Sequence, residues 1–316
     1  MRLFLFAAAI WGLTPLCISS AWAWSGHETL FSTTLQPTFG SALNEPDQGM
    51  DQNLPDSDDP YQERKWMGGT KGGGSQGFRH MYFGGWKLAH PITTFQIPPK
   101  AIGRAPDRVL ETAALARVLL KHKDYAEEGI RKLGWSLHYL QDLAQPFHAT
   151  QLVHWKMAAW GTLFDWPLGK GVENFIEETT RIISNYHLAL ENYVEFRLKG
   201  PKGAAPLFEG ALQNPEQYAT VHFDPKLNPK QLALELSKAS VALAPELGKA
   251  EMAFFGEHLL KPEFDLRNDK GIPDYQAYAI RPELAEARTR CETVIAKALA
   301  NALLASRALI QWALNP

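Results

Sequence analysis

The sequence predicts an all-α protein, and three observations lead to that class. Apolar residues recur at intervals of three and four through residues 105–148, and the stretches 172–196, 229–259 and 282–314 have the composition of further helices. Such intervals place apolar side chains on one helical face, whereas a half-buried strand alternates every second residue. Alternation of that kind is scarce here, and the 45% apolar content suits one large core. We therefore expect a single-domain, multi-helix bundle.

The chain begins with an apolar run that is typical of a secretory signal. Residues 1–18 contain one early charge, Arg2, followed by "LFLFAAAIWGLTPLCI", which is short for a membrane span. Small residues allow cleavage after Ala21 or after Ala23, so the mature chain would start at Trp22 or at Trp24. We expect an exported protein, secreted or periplasmic, with no transmembrane segment. The predicted boundaries are a signal peptide at 1–21 (or 1–23) and one domain at 22–316.

Charge and cysteine content argue against a polyanionic partner and against an intramolecular disulfide. The formal net charge is −2, so nothing in the composition points to a polyanionic partner. Cys17 would leave with the signal, and Cys291 alone cannot form an intramolecular disulfide. Something other than disulfides must therefore stabilise an exported chain.

Local composition predicts where loops and helices lie along the chain. Residues 38–105 are rich in Gly, Pro, Asp and Asn, including "GGTKGGGSQGF", and we expect a long loop-rich N-terminal region. Two helices fit 105–148, with a break near Lys123 and Asp124. The Ala-rich final helix has few, scattered charges, which favours a buried core helix over a membrane-surface helix.

One motif, "HYLQDLAQPFH" at 138–148, combines metal-ligating residue types at helical spacing. His138 and Asp142 are four residues apart, so one helical face presents an imidazole and a carboxylate to the same point. Pro146 disfavours helix at Gln145, so the helix should end or kink there. His148 can then turn toward a neighbouring point, an arrangement that suits a carboxylate bridging two ions.

The mature N-terminus offers further donors. A deprotonated α-amino group and the carbonyl of a first residue, Trp22 or Trp24, can both ligate a metal, and His27 follows closely. This predicts half of a metal site, although a Trp and a His at this place are also explained by packing.

The pattern H-Y-L-x-D-x-x-Q-P-x-H closely resembles the core motif of the zinc-dependent phospholipase C and fungal single-strand nuclease superfamily. Members of that superfamily are all-helical secreted enzymes with a three-zinc cluster. The similarity extends to "ETAALARVLLKHKDYAEEGIRKLGWSLHYLQD" before the motif, to the earlier segment "RHMYF" and to the later segment "VENFIE". It covers about residues 22–195 and, more loosely, the terminal helix.

The resemblance implies a bundle built around two to three Zn²⁺ ions. The first zinc would be held by His80, His138, Asp142 and an upstream aspartate, for which Asp56 is our choice; the alternatives are Asp51, Asp58 and Asp59. Asp142 would bridge to a second zinc, held by the terminal Trp (Trp22, narrowly preferred, or Trp24) and by His27. His148 and Glu173 resemble ligands of the third zinc.

The sequence departs from the family at one expected ligand. A histidine should precede Glu173 by four residues, and that position is Gly169. The replacement donors are His154, six residues after His148, or His187, four residues before Glu191 on a predicted helix. Both are also explained as surface or packing histidines.

The resemblance implies phosphodiester hydrolysis by a zinc-activated water, with Asp56 and Asp142 as the catalytic carboxylates. The leading expectation is a monomeric phospholipase C that releases diacylglycerol and a phosphorylated headgroup while contacting a membrane surface peripherally. Aromatic residues in "VHWKMAAWGTLFDWP" could line a lipid-facing mouth, although core packing explains most of them. The alternatives are a single-strand nuclease of the same superfamily and a non-catalytic, zinc-stabilised helical protein.

Overall fold

The computed structural model describes residues 39–48, 50, 79–84, 101–201 and 203–315, together with the backbone of 86–89 and 94–97. Within these ranges the protein is all-α, as predicted, apart from one pair of short strands. Several predictions concern residues outside the described ranges, namely the signal peptide, Trp22, Trp24, His27, Asp51, Asp56, Asp58 and Asp59.

The described chain contains nine α-helices. In order they are α1 Ala105–Leu119, α2 Ala126–Asp142, α3 Pro146–Thr150, α4 Leu168–Leu198, α5 Pro206–Gln213, α6 Pro215–Tyr218, α7 Pro229–Phe255, α8 Tyr275–Ile280 and α9 Ala285–Leu314. The strands β1 Trp86–Ala89 and β2 Thr94–Ile97 pair antiparallel, with Trp86 opposite Ile97. This hairpin lies inside the region for which only loops were predicted.

The long helices begin and end close to their predicted bounds because the local signals agree with the apolar period. Asn228 and Gln231 form a capping box at the start of α7, and Pro229 occupies the first helical position. The predicted break between α1 and α2 is a short 3₁₀ turn at Lys123–Tyr125. Gly129 in α2 admits the end of α1, because a Cβ there would lie 2.9 Å from the Leu120 side chain.

The core lies where α9 packs against α7 and against the α1–α2 pair. The stretch Pro282–Leu314 is long and apolar enough to cross a membrane, but 67% of its most apolar window is buried inside the fold. Ala-rich faces let neighbouring helices approach closely, and α9 is therefore a core helix, as predicted. Cys291 is fully buried in it, and burial raises the pKa of its thiol well above the usual value.

The motif region folds as its proline predicts. Helix α2 ends at Asp142, and Gln145 adopts an extended conformation immediately before Pro146, the first residue of α3. The Gln145 side chain caps α3 by accepting a hydrogen bond from the Phe147 amide at 2.7 Å. His148 is thereby turned out of the α2 axis on a short helix of its own.

Candidate metal centre

Four buried side chains converge at the C-terminal half of α2; they are Asp47, His80, His138 and Asp142, called here the first group. Nδ1 of His80 lies 2.8 Å from Oδ2 of Asp142 and 3.6 Å from Oδ1 of Asp47. Nε2 of His138 lies 3.0 Å from Nδ1 of His80 and 3.5 Å from each of the two carboxylates. The predicted pairing of His138 with Asp142 on one helical face is thus present, and His80 joins it.

A backbone contact sets the tautomer of His138. Its Nδ1 donates to the carbonyl of Leu43 at 2.7 Å, so the Nε2 lone pair faces the other members of the first group. Histidine ligands of metals commonly donate their second ring nitrogen in this way, which fixes the ring and strengthens the ligating nitrogen.

A second group lies beside the first and consists of His148, His187 and Glu191. Nε2 of His187 lies 2.5 Å from Oε1 of Glu191, and Nε2 of His148 lies 4.0 Å from the same oxygen. His187 and Glu191 are four residues apart on α4, while His148 is presented by α3. The ring of His187 stacks on Phe147 with centroids 5.2 Å apart, which orients it toward His148.

Both histidines of the second group are held neutral. Burial lowers the pKa of each ring to about 3, and the negative charge of Asp142 offsets part of that effect in both. Neutral imidazole is the form that binds metal ions.

The two groups are joined by a hydrogen bond as well. Nδ1 of His148 donates to the backbone carbonyl of His80 at 2.9 Å, and the ring of His80 belongs to the first group. This bond leaves Nε2 of His148 as the nitrogen that faces Glu191. His80 therefore takes part in both groups, because its ring belongs to the first group and its carbonyl orients His148 in the second.

The donor set fits divalent metal ions. Two ligands of one tetrahedral zinc are about 3.3–3.6 Å apart when each bond is about 2.0–2.2 Å. The contacts of Asp47 with His80 and His138, and of His138 with Asp142, measure 3.5–3.6 Å. The contacts of His80 with Asp142 and His138, and of His187 with Glu191, are 2.5–3.0 Å and would have to widen around an ion. Within the described part of the chain, Nε2 of His148 and both ring nitrogens of His187 make no hydrogen bond. Buried polar atoms without hydrogen bonds are costly, and a cation beside Glu191 would satisfy the one lone pair that each neutral imidazole offers.

Two predicted ligands lie elsewhere. Glu173 is exposed and precedes Glu191 by eighteen residues on α4, which is about 27 Å along the helix axis, so it cannot share an ion with His148. His154 is only partly buried, and its Nδ1 accepts from the Lys156 amide at 3.3 Å. Gly169, where a histidine was expected, lies at the exposed start of α4. In the structure His148 faces the His187–Glu191 pair, and Glu173 lies too far from it to be its partner.

Sequence analysis missed Asp47, which lies in the acidic, turn-rich stretch four residues before Asp51, the earliest aspartate considered. Its predicted counterpart, Asp56, falls outside the described residues. The second group had a visible signal, because His187 and Glu191 form the His-x-x-x-Glu pattern that the resemblance required. His187 was accordingly among the two replacement donors predicted, whereas Glu173 was predicted as the carboxylate because the resemblance expects the pattern closer to the motif.

Several aromatic side chains between α3 and α4 are exposed. Trp155, Phe164 and Trp166 are 65%, 76% and 83% exposed, which overturns the expectation that core packing explains most aromatics of this segment. Trp155 and Trp160 also line an open cavity of about 450 Å³. We call residues 155–166 the aromatic segment.

Comparison with family models, curated proteins and solved structures found no match to this chain. The class of protein is defined by its fold and site: an all-helical protein with two adjacent groups of His, Asp and Glu that can bind metal ions.

Proposed function

We propose that the protein is a zinc-dependent phosphodiesterase that cleaves glycerophospholipids as a phospholipase C, giving diacylglycerol and a phosphorylated headgroup. The observation that supports this most is the adjacency of the two His/carboxylate groups on a helical scaffold. Asp142 contacts His80 and His138 in the first group, and the resemblance makes it the carboxylate shared between ions. The motif that resembles the phospholipase C and nuclease superfamily contributes three members of these groups: His138, Asp142 and His148.

The first group would hold one zinc through Asp47, His80 and His138, with Asp142 joining through its contacts with both histidines. The second group would hold another zinc through His148, His187 and Glu191. The mature N-terminus and His27 are proposed to add a further zinc next to Asp142. When bound, zinc supplies Lewis-acid chemistry, withdrawing charge from phosphoryl oxygens and making water nucleophilic near neutral pH.

The chain's own residues do the remaining work. The Leu43 carbonyl and the His80 carbonyl keep the rings of His138 and His148 in one tautomer and orientation. Asp47, whose side chain is the least buried of the first group, is placed to accept a proton from the attacking water. This gives Asp47 the role that the resemblance assigned to an upstream aspartate.

Two features favour lipid over nucleic acid. The aromatic segment exposes large rings at one surface, and tryptophan prefers the interface between water and lipid. Ile182, which lines the cavity beside this segment, precedes His187 on α4 by five residues, or about 7.5 Å along the axis. The chain also lacks the basic excess that single-strand binders use to track phosphates.

A single-strand nuclease is the second candidate, because exposed tryptophans can also stack on unpaired bases. The five-residue spacing from Trp22 to His27 matches the nuclease branch of the superfamily as well. The reading as a non-catalytic protein rested on the ligand missing at Gly169, and the His187–Glu191 pair removes that reason.

A substrate panel separates these functions. The zinc-loaded mature protein is tested on phosphatidylcholine, other phospholipids, single-stranded DNA and RNA, with His187→Ala as the control for contaminating activity. We expect diacylglycerol release that the control largely loses. Cleavage of nucleic acid without lipid hydrolysis would assign the nuclease function, and inactivity toward every substrate would reject the phosphodiesterase.

A further inference from the structure

Residues 39–48, which we call the ligand segment, supply two elements of the first group. The carbonyl of Leu43 accepts from His138, and the carboxylate of Asp47 lies 3.5 Å from the same ring. Apart from a 3₁₀ turn at Gly40–Leu43, the segment consists of turns. Turns alone hold a side chain loosely, so the position of Asp47 depends on what fixes this segment to the rest of the fold.

Glu45 makes that connection. One oxygen of its carboxylate, Oε2, accepts from Nε of Arg131 and from Nε1 of Trp135, each at 2.6 Å. Glu45 is 8% exposed and Trp135 is 3% exposed, so their hydrogen bond is shielded from water, whereas the Arg131 side chain is 35% exposed. Charge-assisted hydrogen bonds of this kind are roughly twice as strong as neutral ones.

The partners of Glu45 and the ligands on α2 share one helical face. Arg131, Trp135, His138 and Asp142 follow one another at spacings of four, three and four residues, which aligns their side chains along α2. Glu45 lies two residues from Leu43 and two from Asp47. The ligand segment therefore runs along this face of α2. Its hydrogen bond to Trp135 lies one helical turn from the contact of Asp47 with His138.

The close packing of the ligand segment against α2 requires a glycine in that helix. A Cβ at Gly134 would lie 2.9 Å from the Cβ of Ala42, so only glycine lets the 3₁₀ turn of the ligand segment approach the helix this closely. Gly134 directly precedes Trp135, and the close approach and the hydrogen bond therefore occur at the same level of the helix.

We propose that Glu45 is a positioning residue, which clamps the ligand segment to Arg131 and Trp135 and so places Asp47 and the Leu43 carbonyl for metal binding by the first group. This inference rests on the proposed metal centre, but not on the choice of substrate. It predicts that breaking the clamp weakens one ion selectively, because the second group receives no residue from the ligand segment.

The test measures zinc affinity rather than catalysis. Glu45→Ala and the milder Trp135→Phe, which removes the indole donor and keeps an aromatic ring, are titrated with zinc against a competing chelator. Glu128→Gln is the matched control, because Glu128 also pairs with Arg131 but does so at the exposed side of α2, at 3.4 Å. We expect Glu45→Ala to weaken one ion at least tenfold, Trp135→Phe to weaken it less, and the control to leave it unchanged.

A double-mutant cycle with Asp47→Ala distinguishes positioning from general destabilisation. Because the clamp acts mainly through Asp47, Glu45→Ala should cost much less affinity when Asp47 is already absent. An equal loss in both backgrounds, or unchanged affinity in Glu45→Ala, overturns the clamp while the metal centre stands. A wild-type protein that binds no zinc overturns the clamp and the proposed function together.

Discussion

Nε2 of His187 lies 2.5 Å from Oε1 of Glu191, one helical turn further along α4. Neither ring nitrogen of His187 makes a hydrogen bond within the described part of the chain, although the ring is 1% exposed. The two atoms are close but are not arranged as donor and acceptor. Two ligands of one zinc lie about 3.3–3.6 Å apart, so an ion bound by both atoms would have to move them apart.

Replacing His187 by Ala should remove one zinc from the protein. Three donors from His148, His187 and Glu191 form a usual zinc site, and loss of one imidazole leaves too few. We expect the metal content after mild chelation to fall by about one ion per chain, measured by elemental analysis.

The matched control for this substitution is Glu173→Ala on the same helix. Its carboxylate is exposed and about 27 Å from Glu191 along the axis, so the metal content should not change. A loss of zinc in Glu173→Ala, with none in His187→Ala, would restore the assignment of Glu173.

Asp142→Asn should be more damaging than any single substitution in the second group. Its carboxylate contacts His80 at 2.8 Å and also influences both histidines of the second group. The amide keeps the size of the side chain but removes the charge that two ions would share, so we expect a loss of at least tenfold in affinity for more than one ion. Isothermal titration with zinc checks this, and weakening of one ion alone would argue against sharing.

Substitutions in the aromatic segment should separate surface binding from chemistry. Phe164→Ser together with Trp155→Ser removes two exposed rings, and each ring can contribute up to about 1.5–3 kcal/mol when fully buried in lipid. We expect hydrolysis of vesicles to fall about tenfold while a dispersed short-chain phospholipid is cleaved at the wild-type rate. The control pair, Val118→Ser and Tyr125→Ser, is also more than half exposed but lies around the end of α1. Equal effects of the two pairs would refute a specific lipid surface.

Glu251 should make stability depend on pH. It is fully buried, its two carboxylate oxygens have no hydrogen-bond partner in the described chain, and burial raises its pKa well above 4.5. The folded state therefore binds this proton more tightly than the unfolded state, so the free energy of unfolding falls as pH rises from about 4.5 through the raised pKa.

Glu251→Gln removes this pH dependence. Within that pH window, the free energy of unfolding of the variant should rise relative to that of the wild type by about 1.4 kcal/mol for each pH unit. Urea unfolding of the two proteins at several pH values between about 5 and 7.5 measures the difference. Parallel stability curves would show that the Glu251 carboxyl does not titrate abnormally.

The major helices could be predicted because their apolar period, capping residues and prolines indicate the same helix bounds. In α7, Asn228 and Pro229 mark the start at which the periodic pattern begins. The short helices α5, α6 and α8 were not predicted, since elements of four to eight residues contain too few turns to show a period. The β1–β2 hairpin was missed for the same reason.

The candidate site was predictable only where its members share a local element. His138 and Asp142 are four residues apart on α2, so helix geometry alone brings them together, and Pro146 turns His148 toward the second group six residues later. Asp47 contacts His138 only in the folded chain, and the sequence separation of the two residues does not predict that contact. His187 and Glu191 had a recognisable helical spacing, but their distance from the motif depends on the length of the intervening chain, which local chemistry does not fix.

The contact between His80 and Asp142 joins positions 62 residues apart. An ion held by both would close a loop of that length in the unfolded chain, and the entropy lost on closing a loop grows with the logarithm of its length. Such an ion acts as a removable cross-link in a protein whose one cysteine within the described chain is an isolated, buried thiol. Each tenfold rise in free zinc above the dissociation constant would then add about 1.4 kcal/mol of folding free energy per ion. The survival of the folded protein would accordingly follow the supply of zinc in its surroundings.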